Sequence, residues 1–166
     1  MQAAAIPNVV YHSLTINNAA NVSLTSARTV PAVLTLTLGE FTNGANLTLG
    51  DGATIVRQDG SLSGVPIFGT TVDVIYIGSN LTNSSFELPA SGTVLRDLTI
   101  NNTGGVTLAD ARTVNRTLYL TNGTFVNTTN LNMADNITIN RNTGILNNLP
   151  VFPASVNVIY SCTTDN

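Results

Sequence analysis

Lysine and tryptophan are absent from the sequence, cysteine and histidine occur once each, and charged residues make up only 9% of it. Each shortage excludes something. Without Lys, and with a net charge of −3, the chain lacks the clustered cations that dominate affinity for nucleic acid, so no nucleic-acid partner is expected. A single cysteine, Cys162, leaves no intrachain disulfide to form, so stability must come from packing and backbone pairing. A single histidine, His12, leaves no second candidate for a histidine metal site or a Ser-His-Asp triad, and it reads as a surface residue. No apolar run approaches the roughly 18–20 residues that cross a bilayer, so membrane insertion is not expected. The first residues also lack the basic start and long apolar stretch of a signal peptide, which leaves the expectation of a soluble or already processed chain.

Asn and Thr together exceed a quarter of the residues, and apolar residues reach 43%. A typical soluble domain carries about 25% charged residues. Solvent-facing positions must here be filled by Asn, Thr, Ser and Gly, which suit turns and the outer faces of strands.

Self-similarity decides the architecture. Leu14-Thr15-Ile16-Asn17-Asn18 recurs as Leu98-Thr99-Ile100-Asn101-Asn102, an offset of 84. The same offset relates Ala27-Arg28-Thr29-Val30 to Ala111-Arg112-Thr113-Val114, Phe41 to Phe125, Arg57 to Arg141, Pro66 to Pro150, and Val74-Ile75-Tyr76 to Val158-Ile159-Tyr160. Residues 11–82 and 95–166 align without a gap, with 31 identities in 72 positions. They are two copies of one unit, with 1–94 as repeat unit 1 plus an N-terminal joining segment and 95–166 as repeat unit 2.

Runs such as Val33-Leu34-Thr35-Leu36-Thr37-Leu38 and Val72-Asp73-Val74-Ile75-Tyr76 alternate with period two and are rich in β-branched residues. Asn43-Gly44, Gly50-Asp51-Gly52 and Asp59-Gly60 interrupt them as tight turns. Strand centres at Thr15, Leu36, Ile55, Tyr76 and Thr99 recur about every 20 residues, and two parallel series fall between them. Three short strands per coil of about 21 residues is the arithmetic of a parallel β-solenoid. The fold class is therefore all-β, a single continuous β-helix of about eight coils and roughly 38 Å. A tandem of two β-sandwich domains is the alternative. Leu14, Ile16, Leu36, Ile55, Leu98, Ile100, Leu120 and Ile139 are expected to point inward. Asn17, Asn18, Asn43 and Asn46 fall at corners, where amides can stack as ladders.

Six residues follow Tyr160 and thirteen precede Leu14, nineteen in all, two short of the 21 between Tyr76 and Leu98. Neither end reads as a polar cap, which an open coil needs. The expectation is a head-to-tail joint formed by Ala5, Ile6, Pro7, Val9, Val10, Tyr160, Cys162 and Asn166. The partner would be the chain itself or further copies in a longer chain, with glycans as a second class.

No catalytic, metal or cofactor site can be assembled, and no enzyme activity is expected. Asp51 and Asp135 are repeat-equivalent and read as turn formers. Pectin-cleaving β-helix enzymes use clustered Asp with a basic residue, and no such cluster is present. The calcium-binding pattern G-G-x-G-x-D is missing as well. The recurring pairs Arg28/Arg112 and Arg57/Arg141 read as long side chains that cover apolar surface while the head meets an acid or a carbonyl. Tyr119 in place of Thr35 breaks any regular threonine lattice for ice. Several Asn-x-Ser/Thr sequons, such as Asn21-Val22-Ser23 and Asn136-Ile137-Thr138, matter only if the source glycosylates its surface proteins.

Leu98-Thr99-Ile100-Asn101-Asn102, Gly104-Gly105-Val106-Thr107-Leu108, Thr113-Val114 and Leu118-Tyr119-Leu120-Thr121-Asn122-Gly123 resemble the Asn/Thr-rich repeats of large secreted bacterial surface proteins and adhesins of the β-helix type. The resemblance covers nearly the whole chain. It implies an extracellular or cell-surface location and a stalk or fibre role, and it adds no catalytic residue. Two functions are thus expected: a structural segment of an extracellular filament or, alternatively, an adhesin stalk or glycan-binding module.

Overall fold

A computed structural model describes residues 4–90 and 92–162. Unit 1 runs β1 (Ala4–Ala5), β2 (Ser13–Asn17), β3 (Val22–Ser23), β4 (Arg28–Val30), β5 (Val33–Leu38), β6 (Glu40–Thr42), β7 (Leu47–Leu49), β8 (Ala53–Arg57), β9 (Ser61–Leu62), β10 (Val72–Gly78) and β11 (Thr82–Asn83). Unit 2 runs β12 (Leu95–Asn102), β13 (Val106–Thr107), β14 (Arg112–Val114), β15 (Thr117–Asn122), β16 (Thr124–Val126), β17 (Leu131–Met133), β18 (Ile137–Arg141), β19 (Ile145–Asn147) and β20 (Val156–Tyr160). Every pairing is parallel. The described residues contain no helix.

The chain forms a parallel β-solenoid with three faces. The principal face is one eight-stranded sheet, β2-β5-β8-β10-β12-β15-β18-β20, and it alone runs unbroken through both units. The second face is two four-stranded sheets, β1-β3-β6-β9 and β11-β13-β16-β19. The third is the pairs β4-β7 and β14-β17, each extended by one bridge, Thr48 to Ile67 and Asn132 to Val151. Three strand segments per coil match the sequence periodicity, and antiparallel sandwich domains are excluded.

Register fixes the core. Leu14, Leu34, Ile55, Val74, Leu98, Leu118, Ile139 and Val158 stand opposite one another on successive rungs, at spacings of 20, 21, 19, 24, 20, 21 and 19 residues. Two residues along, Ile16, Leu36, Arg57, Tyr76, Ile100, Leu120, Arg141 and Tyr160 form a second column, and the order Ile-Leu-Arg-Tyr appears twice. Because the side-chain period is two, these columns share the inner face; the first stacks aliphatic on aliphatic, and the second sets an arginine and a tyrosine among its aliphatics. All eight residues predicted to point inward do so. Leu14, on the first principal rung, is only partly covered, there being no principal strand beyond it among the described residues. Eight principal strands enclose about seven turns rather than eight coils, because the described chain completes a circuit only between one rung and the next. At about 4.8 Å per rung, the first and last lie roughly 34 Å apart.

The corners use backbone chemistry rather than ladders. Asn18, Asn43 and Asn46 bond main-chain groups instead of one another: Asn18 Oδ1 accepts from Ala20 N, Asn43 Nδ2 donates to Gly44 O and Gly64 O, and Asn46 Nδ2 donates to Leu24 O. Asn17 is exposed at the end of its strand. An amide directed at the backbone satisfies a group that the bend would leave orphaned, so no side-chain stack is required. Asp51 and Asp135 do the same, accepting from Thr70 N at 2.7 Å and Ala154 N at 3.0 Å. The bond from Thr70 holds the Asp51 carboxyl below its ordinary value. Gly39 and its counterpart Gly123 turn at φ 79° and 81°, where a Cβ would lie 2.0 Å and 1.7 Å from the carbonyl oxygens of Asn18 and Asn102 on the preceding coil. Both the conformation and the space demand glycine.

Ile55 is fully buried in the middle of the first column. Replacing Ile55 with Asp is expected to lower unfolding free energy by several kcal/mol, since an unpaired charge would be enclosed. Urea denaturation followed by circular dichroism measures this.

Candidate assembly interface

The two units meet between β10 and β12, and there the repeat is broken on purpose-built chemistry. The turn from Val74 to Leu98 takes 24 residues where the others take 19 to 21. Val72 pairs with Leu95 but Val74 pairs with Leu98, so β12 carries one extra residue and brings both Arg96 and Asp97 beside Asp73. Arg96 grips Asp73 with two nitrogens, Nε at 2.9 Å from Oδ1, and Arg116 grips Asp97 in the same way, Nε at 2.8 Å from Oδ1. These bonds raise both guanidinium pKa values, Asp73 acting on Arg96 and Asp97 on Arg116. Position by position, unit 1 has His12, Ser13 and Ala32 where unit 2 has Arg96, Asp97 and Arg116, so the charged row belongs to the junction and not to the repeat.

The connector between β11 and β12 also fills the end of unit 1. Its Glu87 is fully buried, and Oε1 accepts from the Tyr76 hydroxyl at 2.5 Å, Arg57 Nη1 at 2.5 Å and Ser85 N at 2.9 Å. Oε2 is buried with no hydrogen-bond partner. Leu88 beside it joins the core cluster, and its carbonyl accepts from Arg112 Nε. A buried carboxylate is tolerated only when donors surround it, and two of the three donors here come from neighbouring rungs of one column.

Among the described residues unit 2 has no such cover. Val74 and Tyr76 are 0% exposed, whereas their counterparts Val158 and Tyr160 are 49% and 73% exposed on the last strand. Phe68 packs on the core, and Phe152 in its place is about half exposed, 47%. Leu120, Ile139, Leu149, Pro150, Phe152 and Val158 bound a hollow of about 410 Å³, into which Arg141 and Tyr160 also project. Arg141 keeps the posture of Arg57: its Nε donates to Gly144 O at 3.1 Å, as that of Arg57 does to Gly60 O at 3.0 Å. No carboxylate among the described residues meets it.

At the opposite end, Ala5 lies in β1 and pairs with Ser23 of the same chain, and Ile6 donates to Ser23 O and packs on the chain's own core. Pro7 is exposed and its carbonyl accepts from Tyr11, Arg28 and Val9 N. Val9 and Val10 are exposed, Val10 at 99%. The structure thus divides the residues expected at the joint between two ends: Ala5, Ile6, Pro7, Val9 and Val10 at one, Tyr160 and the exposed Cys162 at the other, while Asn166 lies outside the described residues. β1 stands against β3 of the first unit as β11 stands against β13 of the second. The true counterparts of Ala4–Ala5 are therefore Thr82–Asn83, and Ile6-Pro7 falls at Ser84-Ser85, ahead of Leu88-Pro89. Eight residues separate β1 from Leu14 and fourteen separate β11 from Leu98; the longer connector is the one with the buried glutamate.

Arg28 and Arg112 each reach a carbonyl of the preceding coil, as read from the sequence, and Arg112 adds the exposed Asp110. His12 is exposed. Glu87 was not singled out by sequence reasoning; the available signal was an acid set between Phe86 and Leu88, in a stretch that the repeat does not contain. Among the described residues no three His, Cys, Asp or Glu side chains lie close enough to hold a metal ion, and no helix is long and apolar enough to cross a membrane. No protein-family profile, curated protein or solved structure matches this chain significantly.

Burial, and then the negative Glu87 beside it, push the Tyr76 phenol well above its ordinary value of 10.0. The unfolded chain would lose that proton near pH 10 while the folded chain keeps it, so the contribution is complete below pH 10 and is lost as pH climbs toward the folded value. Tyr76→Phe is expected to cost about 1–3 kcal/mol at neutral pH by removing a donor from a buried carboxylate. The gap between the two proteins should narrow above pH 10, as read by urea denaturation across a pH series.

Proposed function

We propose that this chain is a structural unit of an extracellular or cell-surface fibre, built by stacking further copies of the same repeat on its C-terminal rung. The observation that carries the reading is the difference between equivalent positions: Val74 and Tyr76, under unit 2, are buried, and Val158 and Tyr160, with no described strand beyond them, are half exposed and mostly exposed. The operation that sets β12 on β10 would set β2 of a second copy on β20, since β2 and β12 are repeat-equivalent, as are β10 and β20. It brings Val158 opposite Leu14 and Tyr160 opposite Ile16. A parallel edge strand with an apolar inner face is a template for another strand. A contact that joins one end to the other does not close on itself, so repetition yields a filament.

The neutral, Asn/Thr-rich exterior and the resemblance to secreted β-helix repeats support the location. A glycan-binding stalk would call for a repeated row of polar or aromatic groups on the principal face. The outward column there runs Thr15, Thr35, Val56, Ile75, Thr99, Tyr119, Asn140 and Ile159, so any polar row is interrupted by Val56, Ile75 and Ile159 and does not repeat between the units.

Light scattering coupled to size exclusion, with negative-stain imaging, tests the reading. The chain is expected to form rods in multiples of its own length at high concentration. Val158→Asp should leave thermal stability nearly unchanged yet abolish the longer particles, whereas Val74→Asp at the buried equivalent should destabilise the fold itself by several kcal/mol. Longer particles that persist unchanged in Val158→Asp would overturn the proposal.

A further inference from the structure

The inner column presents an arginine followed by a tyrosine on the next rung twice, and among the described residues only the first pair is filled. Arg57 and Tyr76 converge on one oxygen of Glu87, and Leu88, next in sequence, is buried in the core. Arg141 and Tyr160 stand in the same register to each other. Arg141 is already anchored through Nε to Gly144 O, leaving the outer guanidinium nitrogens for an acceptor. The surrounding walls, Leu149, Pro150, Phe152 and Val158, are mainly apolar, with Asn148 the one uncharged amide among them. A guanidinium and a phenol aimed into an apolar hollow form a poor seat for an alkyl side chain and a good one for a carboxylate, because charge-assisted bonds strengthen as water is excluded.

We propose that Arg141 and Tyr160 form a binding site for a glutamate side chain carried in an extended Glu-Leu-Pro segment, the connector that leads into a further repeat. This deepens the stacking reading, on which it rests for the identity of the partner, by naming what the joint selects. The sequence itself supplies the ligand's template in Phe86-Glu87-Leu88-Pro89. Residues 1–13 contain no acid, so a second copy presenting that segment would pair its strands yet leave the arginine unanswered. A repeat introduced by the longer connector would satisfy both. The site therefore discriminates between two kinds of neighbour through one charge, with the penalty for the wrong one being a desolvated guanidinium.

The test is a capped synthetic peptide spanning residues 82–90, titrated into the isotope-labelled full chain and followed by NMR. The protein is kept dilute enough to be a single particle by light scattering. Saturable shifts are expected at the Arg141 Nε–H and at the amides of Val158 to Tyr160. The peptide with Glu87→Gln should bind about tenfold more weakly or worse, the scale of one charge-assisted hydrogen bond. Arg141→Gln in the protein should weaken the original peptide to the same degree, with its amide spectrum elsewhere unchanged. No shift at millimolar peptide, or equal binding of the Glu and Gln peptides, would overturn the site. Particle length separates the two readings. Chains that lengthen on concentration but ignore the peptide when single keep the stacking and lose the glutamate site. Chains that bind the peptide but never lengthen keep the site and lose self-stacking.

Discussion

Everything in this molecule depends on parallel pairing between one coil and the next. A strand of the principal face directs its N–H and C=O groups along the solenoid axis, so no turn can satisfy its own backbone and each is completed by a neighbour. That requirement fixes register, and register fixes which side chains meet. Leu14, Leu34, Ile55 and Val74 form a continuous apolar column because the chain returns to the same point after 19 to 21 residues. The glycines at positions 39 and 123 follow from the same demand, since a passing coil leaves no room for a Cβ.

Charge is concentrated where the pattern is interrupted. Of the four ion pairs among the described residues, three lie at or beside the meeting of the two units: Arg57 with Glu87, Arg96 with Asp73, and Arg116 with Asp97. A uniform stack is permissive, because every apolar rung fits nearly every other and slippage by a whole coil costs little. Bidentate ion pairs and a buried glutamate tolerate one alignment only. The junction thus supplies the specificity that an Asn/Thr-rich exterior and a column of similar aliphatics lack.

Periodic features were legible in the sequence and singular ones were not. The 84-residue offset and the 20-residue rhythm state the architecture because each coil obeys the same geometry, and Leu36 or Leu120 is predicted by its neighbours. Counting strand centres led to eight coils where about seven turns close, because an open stack has one more rung than it has circuits. Asn43 and Asn46 were placed correctly at bends, but their amides bond the backbone, a choice made by local geometry that composition does not encode. Glu87 lies 30 residues from Arg57 and 11 from Tyr76, inside a connector with no second copy, so no comparison within the chain could flag it.

The direction of the backbone hydrogen bonds has a mechanical consequence. In a sandwich whose terminal strands are pulled lengthwise, tension shears many bonds at once; in this solenoid the bonds lie along the pull and are loaded in series. Each coil of about 20 residues occupies roughly 4.8 Å when folded and extends to about 70 Å when drawn out. A stretched chain would yield from its uncovered rungs inward, one coil at a time, until the peeling front reached the Glu87 clasp and the paired arginines, where several charge-assisted bonds must break together.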